Sequence, residues 1–264
     1  MKAIDIIEAM DRWVPKEFVD SWDNTGFQIG DPNKEVTRIL VALDLDKEVL
    51  NKAIYEDYQM IITHHPIIFK PLTSLTTIGH NTSIIYDAVK YGIVVYNAHS
   101  NLDLAEGGVN DSLAHVLGLK DVIPLSFVNR ENLPQNLGYG RVGYVDKIGF
   151  DDFLSIVKEK LSASHLVVYG DRKNTIEKVA ICGGSGSDFI LDAYNADADI
   201  YISGDIKYHE GQYGHELGLT IVDAGHFNTE KIVLPTIKTY LEVELENQVE
   251  IQVLMESSLP QFIY

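Results

Sequence analysis

The sequence predicts an α/β protein of two lobes, with mixed or largely parallel sheets flanked by helices. Two observations carry this. Short apolar runs alternate along the 264 residues with amphipathic segments, the pattern of strands joined by helical crossovers. Hydrophobic residues make up 45% of the chain and charged residues 23%, ordinary globular usage. A chain of this length buries roughly three quarters of its unfolded surface and needs no staples.

Taken in order, Ile4, Ile7, Ala9, Met10 and Trp13 recur at helical intervals and predict a helix over 3–13. A turn-rich stretch, Ser21 to Gly26, leads into the short run 27–30. Residues 38–44 read as a buried strand, 47–57 as a helix and 59–63 as a strand. A helix over 81–91, a strand over 93–98 and a helix over 109–117 follow. Residues 121–143 are rich in Asn, Pro and Gly and predict a boundary, giving an N-terminal lobe over 1–120 and a second over 121–264. The second half resumes with a helix over 150–161, strands over 166–169 and 179–182, a helix over 188–195, and strands over 200–203 and 219–223. A closing helix over 229–241 is expected to be interrupted at Pro235.

Lys and Arg number 21 against 39 Asp and Glu, a formal charge of −18. That balance excludes a general affinity for long nucleic acids and for anionic membrane, since both need surplus cations. Cys182 is the only cysteine, so an intrachain disulfide and a multi-cysteine zinc site are excluded. No apolar run approaches the roughly 20 residues of a membrane span. The N-terminal residues lack a signal-peptide core, and a cytoplasmic setting is expected.

Three predicted strands end in metal-ligand residue types: His64-His65-Pro66, His99 to Asp103, and His226 to Glu230. Ligands in α/β sheets collect beyond the carboxyl ends of strands, where these residues would gather. Adjacent histidines on a straight strand face opposite ways, so His64 and His65 share a site only if the chain bends, and Pro66 favours a bend. His226 and Glu230 stand at i, i+4 and share a helical face. Imidazole and carboxylate without thiolate suit Zn²⁺, Mn²⁺, Fe²⁺ or Co²⁺. Five such side chains, His64, His65, Asp103, His226 and Glu230, with His99 nearby, exceed a three-ligand site and suit two ions.

Ser21 to Gly26, Thr63 to Pro66 with Phe69 to Leu72, His99 to Asp103, Gly107 to Asp111, Ser203 to His209, and Asp223 to His226 with Glu230 resemble the signatures of one family, in its order. It is the NIF-three-like family, also called GTP cyclohydrolase 1 type 2. The resemblance implies a dinuclear metal centre between two α/β lobes, a homohexameric ring, and His64, His65, Asp103, His226 and Glu230 as metal ligands. At this length there is no room for the extra domain some members carry.

Supporting roles are read for Lys207, His209 and Glu210, which offer a cation, a base and an acid after a strand, and for His99 beside the ligands. The glycines from Gly183 to Gly186 could cradle a phosphate or simply form a tight turn. The expected function is a metal-dependent hydrolase on a small molecule, a nucleotide such as GTP, opening the purine ring with loss of formate. A hexameric metal-binding scaffold without catalysis and a two-metal phosphodiesterase use the same residues.

Overall fold

A computed structural model describes residues 1–131, 133–257 and 259. The described residues divide into two compact units, one formed by Met1–Ala105 with the described residues of 234–259, the other by Glu106–Val233. The first unit opens with α1 (Ala3–Trp13), β1 (Gly26–Ile29), β2 (Arg38–Ala42), α2 (Lys47–Tyr55), β3 (Met60–Thr63), α3 (His80–Lys90), β4 (Val94–Asn97) and α4 (Ser100–Leu104). The second contains α5 (Val109–Val116), β5 (Lys120–Phe127), β6 (Gly138–Gly149), α6 (Phe150–Lys160), β7 (Val167–Tyr169), β8 (Thr175–Ser185), α7 (Ile190–Asn195), β9 (Ile200–Gly204), α8 (Tyr208–Leu217), β10 (Thr220–Asp223) and α9 (His226–Glu230). The chain then returns to the first unit as α10 (Leu234–Glu244) and β11 (Glu250–Val253).

Both units are α/β. The first sheet has the order β1-β4-β3-β2-β11, parallel throughout except for β1 against β4. Alternation along its strands splits the buried residues between two faces. Leu40, Ala42, Ile61 and Val95 join Val49, Leu50 and Ala53 of α2 and Ile84, Ile85 and Ala88 of α3 in one cluster. Helices α1 and α10 pack together on the same unit, where Trp13 meets Tyr240 at 4.6 Å and the Tyr240 hydroxyl donates to Ala9 O.

The second sheet is mixed, in the order β5-β6-β8-β9-β10-β7, with β8, β9 and β10 parallel. Val179, Ile181, Ile200, Ile202 and Val222 meet α5 and α6 on one face, while Ala180, Cys182, Tyr201 and Ile221 meet α7 on the other.

Residues 121–143, expected as a boundary, hold β5 and the start of β6 instead. Proline is tolerated on an edge strand, and β5, which carries Pro124, is the edge of its sheet. The break between units falls at Ala105 and Glu106 and again at Val233 and Leu234, rather than at 120. The reason at the second crossing is β11, which pairs in parallel with β2. The closing helix is interrupted by a 3-10 turn over Lys231–Val233 and not at Pro235, which sits in the first turn of α10, where a missing amide hydrogen is tolerated.

Helix α8 carries two interior glycines, Gly211 and Gly214, which argue against a helix by propensity. Packing accounts for Gly211. A Cβ there would lie 2.3 Å from the Tyr169 ring, whose hydroxyl is held by Ile206 O at 3.1 Å. Gly211→Ala therefore sets a helix-propensity gain of about 1 kcal/mol against overpacking of about 1–3 kcal/mol. Overpacking is expected to win, and thermal denaturation should show a lower midpoint for the variant; a higher one would contradict the packing account.

Candidate metal centre

In the first unit, the carboxyl ends of the neighbouring parallel strands β2, β3 and β4 deliver three groups. Strand β3 stops at Thr63, and the amides of both His64 and His65 then donate to Leu43 O, at 3.2 and 3.0 Å. That shared acceptor is the expected bend. It brings the two rings to 5.0 Å between centroids, and the His99 ring, after β4, stands 5.1 Å from His64 and 5.5 Å from His65. One ligand atom from each of the three imidazoles falls within a 4.8 Å cluster. Asp103 follows on α4, its amide bonded to His99 O, and its Oδ1 is 3.6 Å from His64 Nε2.

In the second unit, β8, β9 and β10 do the same. Asp223, at the end of β10, accepts from Ile206 N through one oxygen and from Gly225 N through the other, both at 2.9 Å. It thereby ties the loop after β9 to the start of α9. Asp205 of that loop meets His226 Nδ1 at 2.8 Å, and His226 Nε2 meets Glu230 Oε2 at 3.0 Å. Glu230 is buried, and the room for it comes from glycine. A Cβ on Gly184 would lie 2.0 Å from Glu230 Oε1, and Gly184 takes φ +65°, a conformation that suits glycine.

One hydrogen-bond pattern unites the four histidines. In each ring Nδ1 is engaged: His64 with Ala98 O at 2.8 Å, His65 with Asp44 at 2.7 Å, His99 with Asp23 at 2.9 Å and His226 with Asp205. Carbonyl and carboxylate oxygens only accept, so Nδ1 carries the hydrogen, and in the neutral ring Nε2 presents its lone pair. Metal-binding imidazoles are held in this way. Two of those lone pairs face carboxylate oxygens, His64 toward Asp103 and His226 toward Glu230. Acceptor facing acceptor is stable with a cation between them, a proton or a metal ion, and the gathering of several imidazoles with carboxylates fits a hard or borderline divalent ion.

Asp23 supports the first cluster most tightly. Burial opposes its charge, yet the His99 ring and the hydroxyl and amide of Ser100 bring its carboxyl from an ordinary 3.8 down to about 2.

Apart from His99, the residues read as a supporting shell stand at the start of α8. Glu210 Oε2 accepts from Lys207 N at 2.7 Å, so its carboxylate closes the first turn of α8, while Lys207 and His209 are exposed. The glycine stretch does not offer a phosphate cradle. Gly183 N is taken by Asn110, Gly184 N by Thr229 and Gly186 N by Ser203. The sequence does not single out Asp23, Asp44 and Asp205, because a lone acid at a strand end has the signature of a turn or a helix cap. Only a count of histidines set against nearby acids would have pointed to them.

The fold and these clusters define a two-unit α/β protein with imidazole and carboxylate groups presented at the carboxyl ends of parallel strands. The chain belongs to the Duf34/NIF3 (NGG1p interacting factor 3) family, whose model matches residues 1–260. A relative from Clostridium perfringens, called GTP cyclohydrolase 1 type 2 homolog, is 35% identical and aligns over 98% of each chain. Among solved structures, a Bacillus cereus protein related to NIF3 matches with a TM-score of 0.94 at 25% identity, covering 100% of this chain and 99% of that one. The reduced form of HcgD from Methanocaldococcus jannaschii matches with a TM-score of 0.81 at 33% identity, over 96% and 98%.

Two predictions follow from this geometry. Asp205→Asn should lower divalent-metal affinity by about 10- to 100-fold in equilibrium dialysis, and Gly184→Ala, which displaces Glu230, should lower it at least as far. Unchanged affinity in both would remove the supporting role. The second concerns acid. The folded pKa of Asp23 lies below its unfolded value, so its contribution is complete above pH 4 and is lost as pH falls toward 2. At about 1.4 kcal/mol per unit this amounts to about 2 kcal/mol. Urea unfolding should therefore show Asp23→Asn less stable than the parent by about that amount at pH 6, with the gap narrowing below pH 4.

Proposed function

We propose that this chain is a metal-dependent hydrolase that uses two divalent ions, Zn²⁺, Mn²⁺, Fe²⁺ or Co²⁺, held by His64, His65, Asp103, His226 and Glu230. The observation that supports it is the common tautomer of the cluster histidines, each with Nδ1 spent and Nε2 presented. Bound ions of this kind polarise a substrate oxygen and make a water acidic near neutral pH. His65, Asp103 and His226 are only partly buried, which leaves room for a substrate oxygen or water.

The proposed substrate is a nucleotide. The name of the Clostridium perfringens relative supports GTP, with two additions of water at the purine imidazole carbon and release of formate. In this reading His99, braced by Asp23, fixes the position of the His64 and His65 rings. His209 exchanges protons with solvent, Lys207 meets an anionic group of the substrate, and Glu210 holds the turn that carries both. No helix among the described residues is long and apolar enough to cross a membrane. We place the protein in the cytoplasm as a homohexamer, for which light scattering should give about six times the 29.5 kDa chain mass.

The reading is tested by formate release from GTP with the protein loaded separately with Mn²⁺, Zn²⁺ and Fe²⁺, beside a His64→Ala, Glu230→Ala double variant. Turnover in the parent, lost in the variant, is expected. Two bound ions per chain with no formate under any metal would overturn ring opening and leave a metal-binding scaffold.

A further inference from the structure

Beside the imidazole cluster of the first unit stands a pair of aromatic rings that neither the fold nor the ions require. Trp22 and Phe69 are 58% and 43% exposed, and their centroids are 6.1 Å apart at an interplanar angle of 52°. Both touch His99: Trp22 at 5.8 Å and Phe69 at 6.4 Å, each edge to face. His99 in turn meets His64 and His65. The aromatic pair therefore opens onto the face of the histidine cluster.

Scattered exposed aromatics need no explanation, but these two are held in place. Trp22 precedes Asp23, whose buried carboxylate accepts from Ser100 N, Ser100 Oγ and His99 Nδ1. Phe69 follows Ile68, whose amide donates to Gln28 Oε1 at 3.0 Å and whose carbonyl accepts from Gln28 Nε2 at 3.1 Å and from the Asn24 amide. Each ring thus sits one residue from a backbone anchored by side chains. Rings already ordered lose little entropy when a ligand arrives.

The angle between the rings selects a geometry. At 52° they cannot sandwich a flat ligand, but they form a corner in which a planar ring stacks on one face and meets the other edge-on. Phe69 also borders a cavity of about 410 Å³, and Lys70 is the single charged residue on its wall among the described residues. The corner favours a flat aromatic ring, and the cavity beside it favours an attached anionic tail.

We infer that Trp22 and Phe69 form the seat for a heteroaromatic ring, that of a purine nucleotide, with its edge toward His64, His65 and His99 and its phosphates toward Lys70. The purine class rests on the hydrolase reading above; the aromatic seat rests on the geometry of the first unit. Stacking a base on a protein aromatic is worth a loss of about 10- to 100-fold in affinity when the side chain is truncated.

The test uses the metal-loaded full chain with Trp13→Phe, which leaves Trp22 as the single remaining tryptophan of two. Trp13 packs on Tyr240, away from the histidine cluster in sequence and contact, so the replacement keeps an aromatic ring there. Titration with guanosine and with GTP should quench Trp22 fluorescence saturably. Phe69→Ala should weaken both by 10-fold or more and Phe69→Tyr should restore them, with metal content equal in each variant. Lys70→Ala should weaken GTP and spare guanosine; equal effects on the two would overturn the placement of the phosphates. Quenching without formate release supports the seat and removes only the ring-opening chemistry. Formate release with an unchanged KM in Phe69→Ala, or absence of quenching, overturns the seat and leaves the hydrolase standing.

Discussion

The hydrogen bond at Nδ1 is the constraint on which the rest of the site depends. An imidazole free to rotate or to change tautomer can offer either nitrogen or neither. In this chain His64, His65, His99 and His226 each spend one nitrogen on a fixed oxygen, so the other is aimed before any ligand arrives. Three of those oxygens belong to carboxylates. The acidic surplus of the chain is thus partly local and purposeful, with Asp23, Asp44 and Asp205 each assigned to one histidine.

The fold supplies these partners at little expense in chain. Parallel neighbours end at the same level, so the residues after β2, β3 and β4 arrive together without long loops. Asp44 follows β2, the histidine pair follows β3, and His99 follows β4. The second unit repeats the device with Gly184 at the end of β8, Asp205 after β9 and His226 after β10. Asp223 then stitches the last two loops by accepting from both. Where the first unit uses an extra side chain, the second uses the absence of one: the missing Cβ of Gly184 is the space in which Glu230 sits.

Much of this was legible in the sequence because it depends on local chemistry. Apolar runs marked the parallel strands, and His64-His65-Pro66 announced a bend that lets two adjacent rings share a face. The acids that brace the rings were not legible, since Asp205 and His226 stand 21 residues apart and nothing in either segment names the other. Gly183 to Gly186 looked like a phosphate turn because sequence shows the glycines and not the side chains of Asn110, Thr229 and Ser203 that occupy their amides. The return of the C-terminal segment to the first sheet was hidden for the same reason: Arg38 and Glu250 pair across 212 residues. Edge position, which makes Pro124 acceptable in β5, is likewise a property of the sheet and not of the segment.

The most direct test of the account is X-ray absorption at the zinc edge of the purified protein loaded with zinc, read together with the number of ions per chain. The account predicts two ions per chain, with imidazole nitrogen and carboxylate oxygen at about 2.0–2.2 Å and no sulfur. Sulfur scattering near 2.3 Å, or zinc without the imidazole signature, would contradict it by showing that the presented Nε2 atoms are not what holds the metal.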